Sequence, residues 1–148
     1  MLILGLDFGG SGAAVVSDPE TRKLKDYILF NKSTHKEQYD FFKKVAPDIE
    51  YCNCELLHAI YGTSAKSNFT YAKNIGRTEA FMIANDIPYR EIKAKQWQAK
   101  MFHGMPSNLT TKEKSKELTL KLFPGNPHPK DDNFCDAYLL SIMDKYEL

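Results

Sequence analysis

Four carboxylates stand where their residue type is out of place, and together they point to one chemistry. Asp7 ends an otherwise apolar run, LILGLD, and Glu55 lies inside YCNCELL with two leucines directly after it. Asp136 shares a helical face with Leu139, Leu140 and Met143, because steps of three, four and seven residues return to one side, and Asp132 lies one turn earlier on that side. Aspartate is depleted in strands, and a carboxylate on the apolar side of a helix costs several kcal/mol unless it is paired or bound to a cation. Each position has an ordinary alternative: a turn residue for Asp7, a lysine partner at a strand edge for Glu55, an N-cap for Asp132 or Asp131. Those alternatives are independent of one another, whereas one shared site accounts for all four acids. Hard oxygen ligands of this kind suit Mg²⁺, with Mn²⁺ able to substitute, because such ions keep waters and take a few carboxylates together with phosphate oxygens. Two ions about 4 Å apart activate a water and stabilise the leaving oxygen of a phosphodiester. The chemistry indicated is metal-assisted hydrolysis with two ions in the site.

The elements that must position these acids follow from hydrophobic period. Leu2 to Asp7 reads as a strand with Ile3, Gly5 and Asp7 on one face. Gly9 to Gly12 make a tight turn, Ala13 to Ser17 a second strand, DPET another turn, and Leu24 to Asn31 a third strand. Ser33 or Thr34 caps a helix through Phe41, Phe42 and Val45 that Pro47 ends. The stretch IEYCNCELLHA is a strand with Tyr51, Asn53 and Glu55 on one face and Cys52, Cys54 and Leu56 on the other. A long helix over 64–85 carries small residues, Ala72, Gly76 and Ala80, that allow close approach of the chain's own sheet or of a partner subunit. A short strand runs from Pro88 to Ile92, helices cover 94–102 and 111–123, and a last helix covers 132–145. Three meandering strands followed by alternating strands and helices predict an α/β fold, a mixed five-stranded sheet flanked by helices on both faces. If the first and fourth strands are neighbours, Asp7 and Glu55 point the same way, and the last helix brings Asp132 and Asp136 over them.

Bulk composition narrows the classes. A chain of 148 residues, 43% hydrophobic, suffices for one domain over 1–148. No run of about 18 apolar residues occurs, and the N-terminus lacks a basic region followed by a cleavage site, so a soluble cytoplasmic protein that does not enter a membrane is expected. Cys52, Cys54 and Cys135 have no zinc-site spacing and are expected to be buried and reduced. Net charge is only +1, yet the charges are segregated: residues 93–121 hold seven lysines against Glu113 and Glu117, while 131–148 hold five acids against Lys145. A neutral sum can therefore conceal a basic face around an acidic pocket, which suits a phosphate polymer. Lys66, Lys73 and Arg77 fall on one ridge of the long helix and could track a nucleic-acid backbone, or could simply be solvated. Trp97 is read as core rather than a base-stacking platform.

At this point the motifs take on a family likeness. GLDFGGSGA resembles the first motif of the RuvC Holliday-junction resolvases of the ribonuclease H-like superfamily, CELLHA resembles their strand-borne glutamate, and DDNFCDAYLLSI their closing acid helix. KNIGRTEAFMIANDIPYREIKAKQWQ is similar to their long helix, strand and following helix, and TTKEKSKELTLKLFP to their lysine-bearing segment. The resemblance implies a homodimeric, Mg²⁺-dependent endonuclease that nicks branched DNA in pairs and leaves 5′-phosphate ends. It implies Asp7, Glu55, Asp132 and Asp136 as metal ligands and Lys114 at the scissile phosphate; for a chain that cuts DNA, Lys66, Lys73, Arg77, Lys112 and Lys116 are then the expected DNA contacts. Phe8 replaces a proline frequent in the family. Asn133 occupies the usual three-residue spacing before Asp136, whereas Asp132 matches a four-residue, phage-type variant and is favoured here. The family's junction-wedging aromatic has no clean match; Tyr61 is the better candidate and His58 the weaker.

Other readings remain open on sequence alone. DFGGSG also resembles the phosphate loop of sugar-kinase, actin and chaperone ATPases, in which glycine amides hold nucleotide phosphates, although those proteins close two such domains around the nucleotide. A related nuclease acting on RNA and a non-catalytic branched-DNA binding module complete the set.

Overall fold

The computed structural model describes residues 1–9, 11–56 and 62–144. Five strands form one sheet: β1 (Leu2–Asp7), β2 (Ala13–Ser17), β3 (Leu24–Leu29), β4 (Ile49–Leu56) and β5 (Tyr89–Lys93), in the order β3-β2-β1-β4-β5. The first three form an antiparallel meander, and β4 and β5 join parallel to β1. Five helices flank it: α1 (His35–Val45), α2 (Ala65–Ala84), α3 (Ala94–Met101), α4 (Thr111–Leu122) and α5 (Asp132–Ser141). This is the expected α/β arrangement, with β1 and β4 as neighbours.

Strand alternation divides the apolar residues into two cores. On one face Leu4, Leu6, Cys52 and Cys54 meet Phe42 and Val45 of α1 and Met82 of α2. On the other, Ala13, Val15 and Ile92 meet Trp97 of α3 and Phe134, Ala137 and Leu140 of α5. The three cysteines are buried and unbridged, as expected. Gly5 explains how α5 lies so low on the sheet: a Cβ there would stand 1.9 Å from the Ala137 carbonyl oxygen and 2.4 Å from the Ser141 nitrogen.

Two element ends differ from the expectation by more than one residue. The third strand stops at Leu29 rather than Asn31, because residues 30–32 coil into a 3₁₀ turn and the Ser33 hydroxyl donates back to the Leu29 carbonyl at 2.7 Å. Thr34, not Ser33, caps α1, in a reciprocal capping box with Glu37. The last helix ends at Ser141, earlier than the apolar period suggests. Buried Asn53 of β4 is the reason: its side-chain amide donates to the carbonyls of Leu140 and Met143, at 2.8 Å each, and so finishes the helix from across the sheet.

The long helix α2 is largely outside the core. Of its 20 residues only Thr78 and Met82 are buried, while Phe69 is 68% and Ile83 64% exposed. Ala72, Gly76 and Ala80 are exposed as well, and a Cβ at Gly76 would meet nothing within 4 Å. Among the described residues, therefore, the chain's own sheet does not use the small-residue face.

Candidate active site

The opening hairpin sets the first acid. Asp7 is the last residue of β1, and its Oδ1 accepts the Gly9 amide at 3.3 Å. The turn closes with the Gly12 amide donating to the Gly9 carbonyl at 2.8 Å. Gly12 is obligatory by packing, since a Cβ there would stand 2.0 Å from the Asp7 carbonyl oxygen. The amides of Gly9 and Gly12 are thus engaged inside the turn itself, which is the geometry of a hairpin holding a carboxylate rather than of a loop cradling phosphates.

Glu55 is brought alongside by parallel pairing. Leu6 pairs with Cys54, so Asp7 and Glu55 follow side by side at the same end of the sheet. The buried indole of Trp97 donates to Glu55 Oε2 at 2.7 Å, reaching from α3. From above, α5 contributes the other two acids. Its N-cap is Asp131, whose Oδ1 accepts the amides of Asn133 and Phe134. Asp132 is thereby released from capping and lies 3.5 Å from Lys112 Nζ on α4. Asp136, one turn on, accepts the Ser115 hydroxyl from α4 at 2.5 Å.

The four acids share one electrostatic neighbourhood. Burial pushes the Asp7 carboxyl up to about 7 against the opposing Gly9 amide, with Glu55, Asp132 and Asp131 raising it further. Burial likewise raises Asp136 to about 7 despite the Ser115 hydroxyl, helped by Asp7, Glu55 and Asp132. Tyr71 of α2 faces the same cluster: burial first, then Asp7 and Glu55, push its hydroxyl up to about 12. Two carboxyls raised to near neutrality, by burial first and by their acidic neighbours after it, mark a crowded acid site.

That concentration of acids and its all-oxygen donor set fit a hard divalent cation in type and charge. The side chains do not converge as they stand: among the described residues no three acidic, histidine or cysteine groups are arranged to hold a metal ion. Each carboxylate is turned instead toward its own donor, Gly9, Trp97, Lys112 or Ser115. The elements that carry them, β1, β4 and α5, are neighbours in the fold.

The basic residues divide. Lys66 and Lys73 are exposed on α2 and Arg77 is partly buried there. Lys112 is the lysine of α4 that reaches an acid. Lys114 lines a cleft of about 310 Å³ with Lys95 and Phe102, between α3 and α4, and Lys116 lies one turn beyond Lys112 on α4. Asn133 is on the first turn of α5. His58 and Tyr61 lie outside the described residues. Sequence reasoning missed Ser115 and Tyr71, and took Trp97 for core alone; Trp97 is indeed fully buried, but its N–H is spent on the site.

Neither a protein-family model nor a curated protein matches this sequence. Solved structures do. The chain is similar to Thermus thermophilus RuvC in complex with Holliday junction substrate, with 12% identity and a TM-score of 0.68 over 96% of this chain and 90% of that one. A second Thermus thermophilus RuvC structure aligns with 13% identity and a TM-score of 0.58, over 96% and 92% of the two chains. At such identities the likeness is one of fold, and the fold is RuvC-like.

Proposed function

We propose that this protein is a metal-dependent, structure-selective endonuclease that nicks Holliday junctions and other branched DNA by phosphodiester hydrolysis. The observation that carries the proposal is the meeting of Asp7, Glu55, Asp132 and Asp136, from β1, β4 and α5, in one neighbourhood where two of the carboxyls are forced toward neutrality. The RuvC-like fold supports it, since one of the similar structures is bound to a Holliday junction.

Asp7, Glu55, Asp132 and Asp136 would hold Mg²⁺, or Mn²⁺ in its place, as two ions per site. The bound ions supply a water activated near neutral pH and positive charge for the leaving oxygen. The chain's own residues do the positioning: Trp97 orients Glu55, Ser115 orients Asp136, and Gly9 orients Asp7. Lys112 and Lys114 of α4 bring positive charge to the scissile strand, with Lys116 beyond them. Lys66, Lys73 and Arg77 form a ridge along which the DNA backbone lies.

The unpartnered face of α2 supports a homodimer. Phe69, Ala72, Gly76, Ala80 and Ile83 recur at steps of three and four, so they form one exposed stripe of apolar and small residues. A two-fold axis there gives two sites for paired nicks.

The test is cleavage of a labelled four-way junction beside its linear duplex, with Mg²⁺ or with chelator, by wild type and Asp7→Asn. Symmetric, Mg²⁺-dependent nicks near the branch that vanish in the variant are expected, while DNA binding by the variant persists. Cleavage of RNA and not of either DNA would replace this reading with an RNA nuclease, and cleavage of neither with a binding module.

A further inference from the structure

We propose that a pocket between the Gly9 turn, the start of α1 and the middle of α2 is a seat for one backbone phosphate of the nicked strand, beside the scissile phosphate. The inference rests on the nuclease reading and adds to it a subsite that fixes the strand's register.

The pocket, of about 130 Å³, is lined by Gly9, His35, Gln38, Asn74, Arg77 and Thr78 among others. A cavity of roughly 150 Å³ holds one benzene, so this one admits a single small group and not a nucleoside. Its chemistry selects an anion. The Arg77 guanidinium is braced toward it by a 3.0 Å hydrogen bond to Asn74 Oδ1. Among the described residues no carboxylate lies within ion-pair distance of Arg77 or His35, although Lys36, Lys44 and Lys112 have such partners. A partly buried guanidinium with no counter-ion, fixed in a concave site, presents its fork to a ligand with paired oxygens. His35, the first residue of α1, lines the same space.

Position identifies the source of the anion. Gly9 is two residues from Asp7 and hydrogen-bonded to its carboxylate, so the pocket wall is within about 7 Å of the first acid. Phosphates recur about every 3.4 Å of axis along a strand, which places the bound phosphate within about two or three nucleotides of the cut. A second groove along α2, lined by Lys66, Thr70, Tyr71 and Asn74, shares Asn74 with the pocket. Tyr71 borders the acid cluster, so pocket, acids and groove form one path for a strand.

The experiment replaces the backbone phosphates one at a time with neutral methylphosphonates, three positions either side of the cut in a four-way junction. Binding is measured with the full chain carrying Asp7→Asn. One position should weaken binding about tenfold, the scale of a charge-assisted hydrogen-bonded pair. With Arg77→Ala added, the same position should cost nothing further, and Arg77→Lys and His35→Ala should fall between. Equal penalties with and without Arg77 would overturn the subsite. So would a flat scan accompanied by binding of inorganic phosphate, read from His35 imidazole signals that Arg77→Ala abolishes, since the pocket would then serve a free anion. A flat scan with intact junction cleavage sinks the subsite alone. Absence of junction cleavage by wild type sinks the nuclease reading, and an Arg77-dependent position in the scan would still establish the subsite for a bound strand.

Discussion

Trp97 shows how one side chain can serve packing and chemistry at once. Its ring is enclosed by the second core and stacks edge-on to Phe102, while its single N–H is committed to Glu55 Oε2. A buried indole needs a partner for that proton, and here the partner is Glu55, one of the four acids of the proposed metal site. Trp97→Phe keeps an aromatic ring in the core and deletes the orienting donor, leaving a small cavity where the rest of the indole stood. Outer-shell partners of this kind are worth about tenfold to a hundredfold in metal affinity or activity. The expected outcome is a folded protein in which nicking slows by at least about tenfold and half-maximal Mg²⁺ rises. If the variant nicks junctions at the wild-type rate with an unchanged Mg²⁺ requirement, the indole is packing alone. The acids themselves were legible in the sequence because a carboxylate in an apolar strand or on an apolar helix face carries a visible cost. Trp97, Ser115 and Tyr71 were not, because each looks ordinary on its own element. Trp97 is a large aromatic at a core position, Ser115 a small polar residue in a lysine-rich helix, and Tyr71 one of eight tyrosines. Their meaning comes from contacts between elements distant in sequence, 42 residues apart for Trp97 and Glu55 and 21 for Ser115 and Asp136.

At the scale of elements, the site depends on how closely α5 rests on β1. Gly5 permits that approach, and Ala137, the residue whose carbonyl oxygen a Cβ at Gly5 would strike, directly follows Asp136. Gly5→Ala gains up to about 1 kcal/mol by restricting the unfolded chain. A 1.9 Å collision with backbone outweighs that gain, because backbone cannot rotate aside as a flexible side chain can, and overpacking costs about 1–3 kcal/mol or more. Urea unfolding should therefore show a net loss of about 2 kcal/mol or more, with nicking reduced beyond the loss of folded protein because Asp136 is displaced. Equal or greater stability would mean that α5 is free to lift. The order of strands and helices followed from periodicity, and even the face shared by Tyr51, Asn53 and Glu55 was readable. The early end of α5 was not, since its last carbonyls are taken by Asn53, a residue from another strand.

At the scale of the whole molecule, the issue is what covers α2. The small residues were visible in the sequence, but period alone assigns a face without saying whether it turns inward or outward. The fold turns it outward: a residue as large as Phe69 is left 68% exposed on a helix that could have been rotated into the first core. Burying such a stripe against a second copy removes apolar surface at about 25 cal/mol per Å², and small residues let the helices cross closely. Gly76→Glu separates this function from stability. In a helix interior Glu is favoured over Gly by somewhat under 1 kcal/mol, and the position is open to solvent within the chain, so the monomer should be at least as stable. In a symmetric interface the same change sets two like charges near the axis and removes the close approach. Sedimentation at micromolar concentration should show a dimer for wild type and a monomer for Gly76→Glu, with paired incision across a four-way junction reduced to isolated nicks. A variant that stays dimeric would move the interface elsewhere on the surface. A wild type that sediments as a monomer with and without DNA would remove the two-fold axis, and with it the reason to expect cuts in pairs.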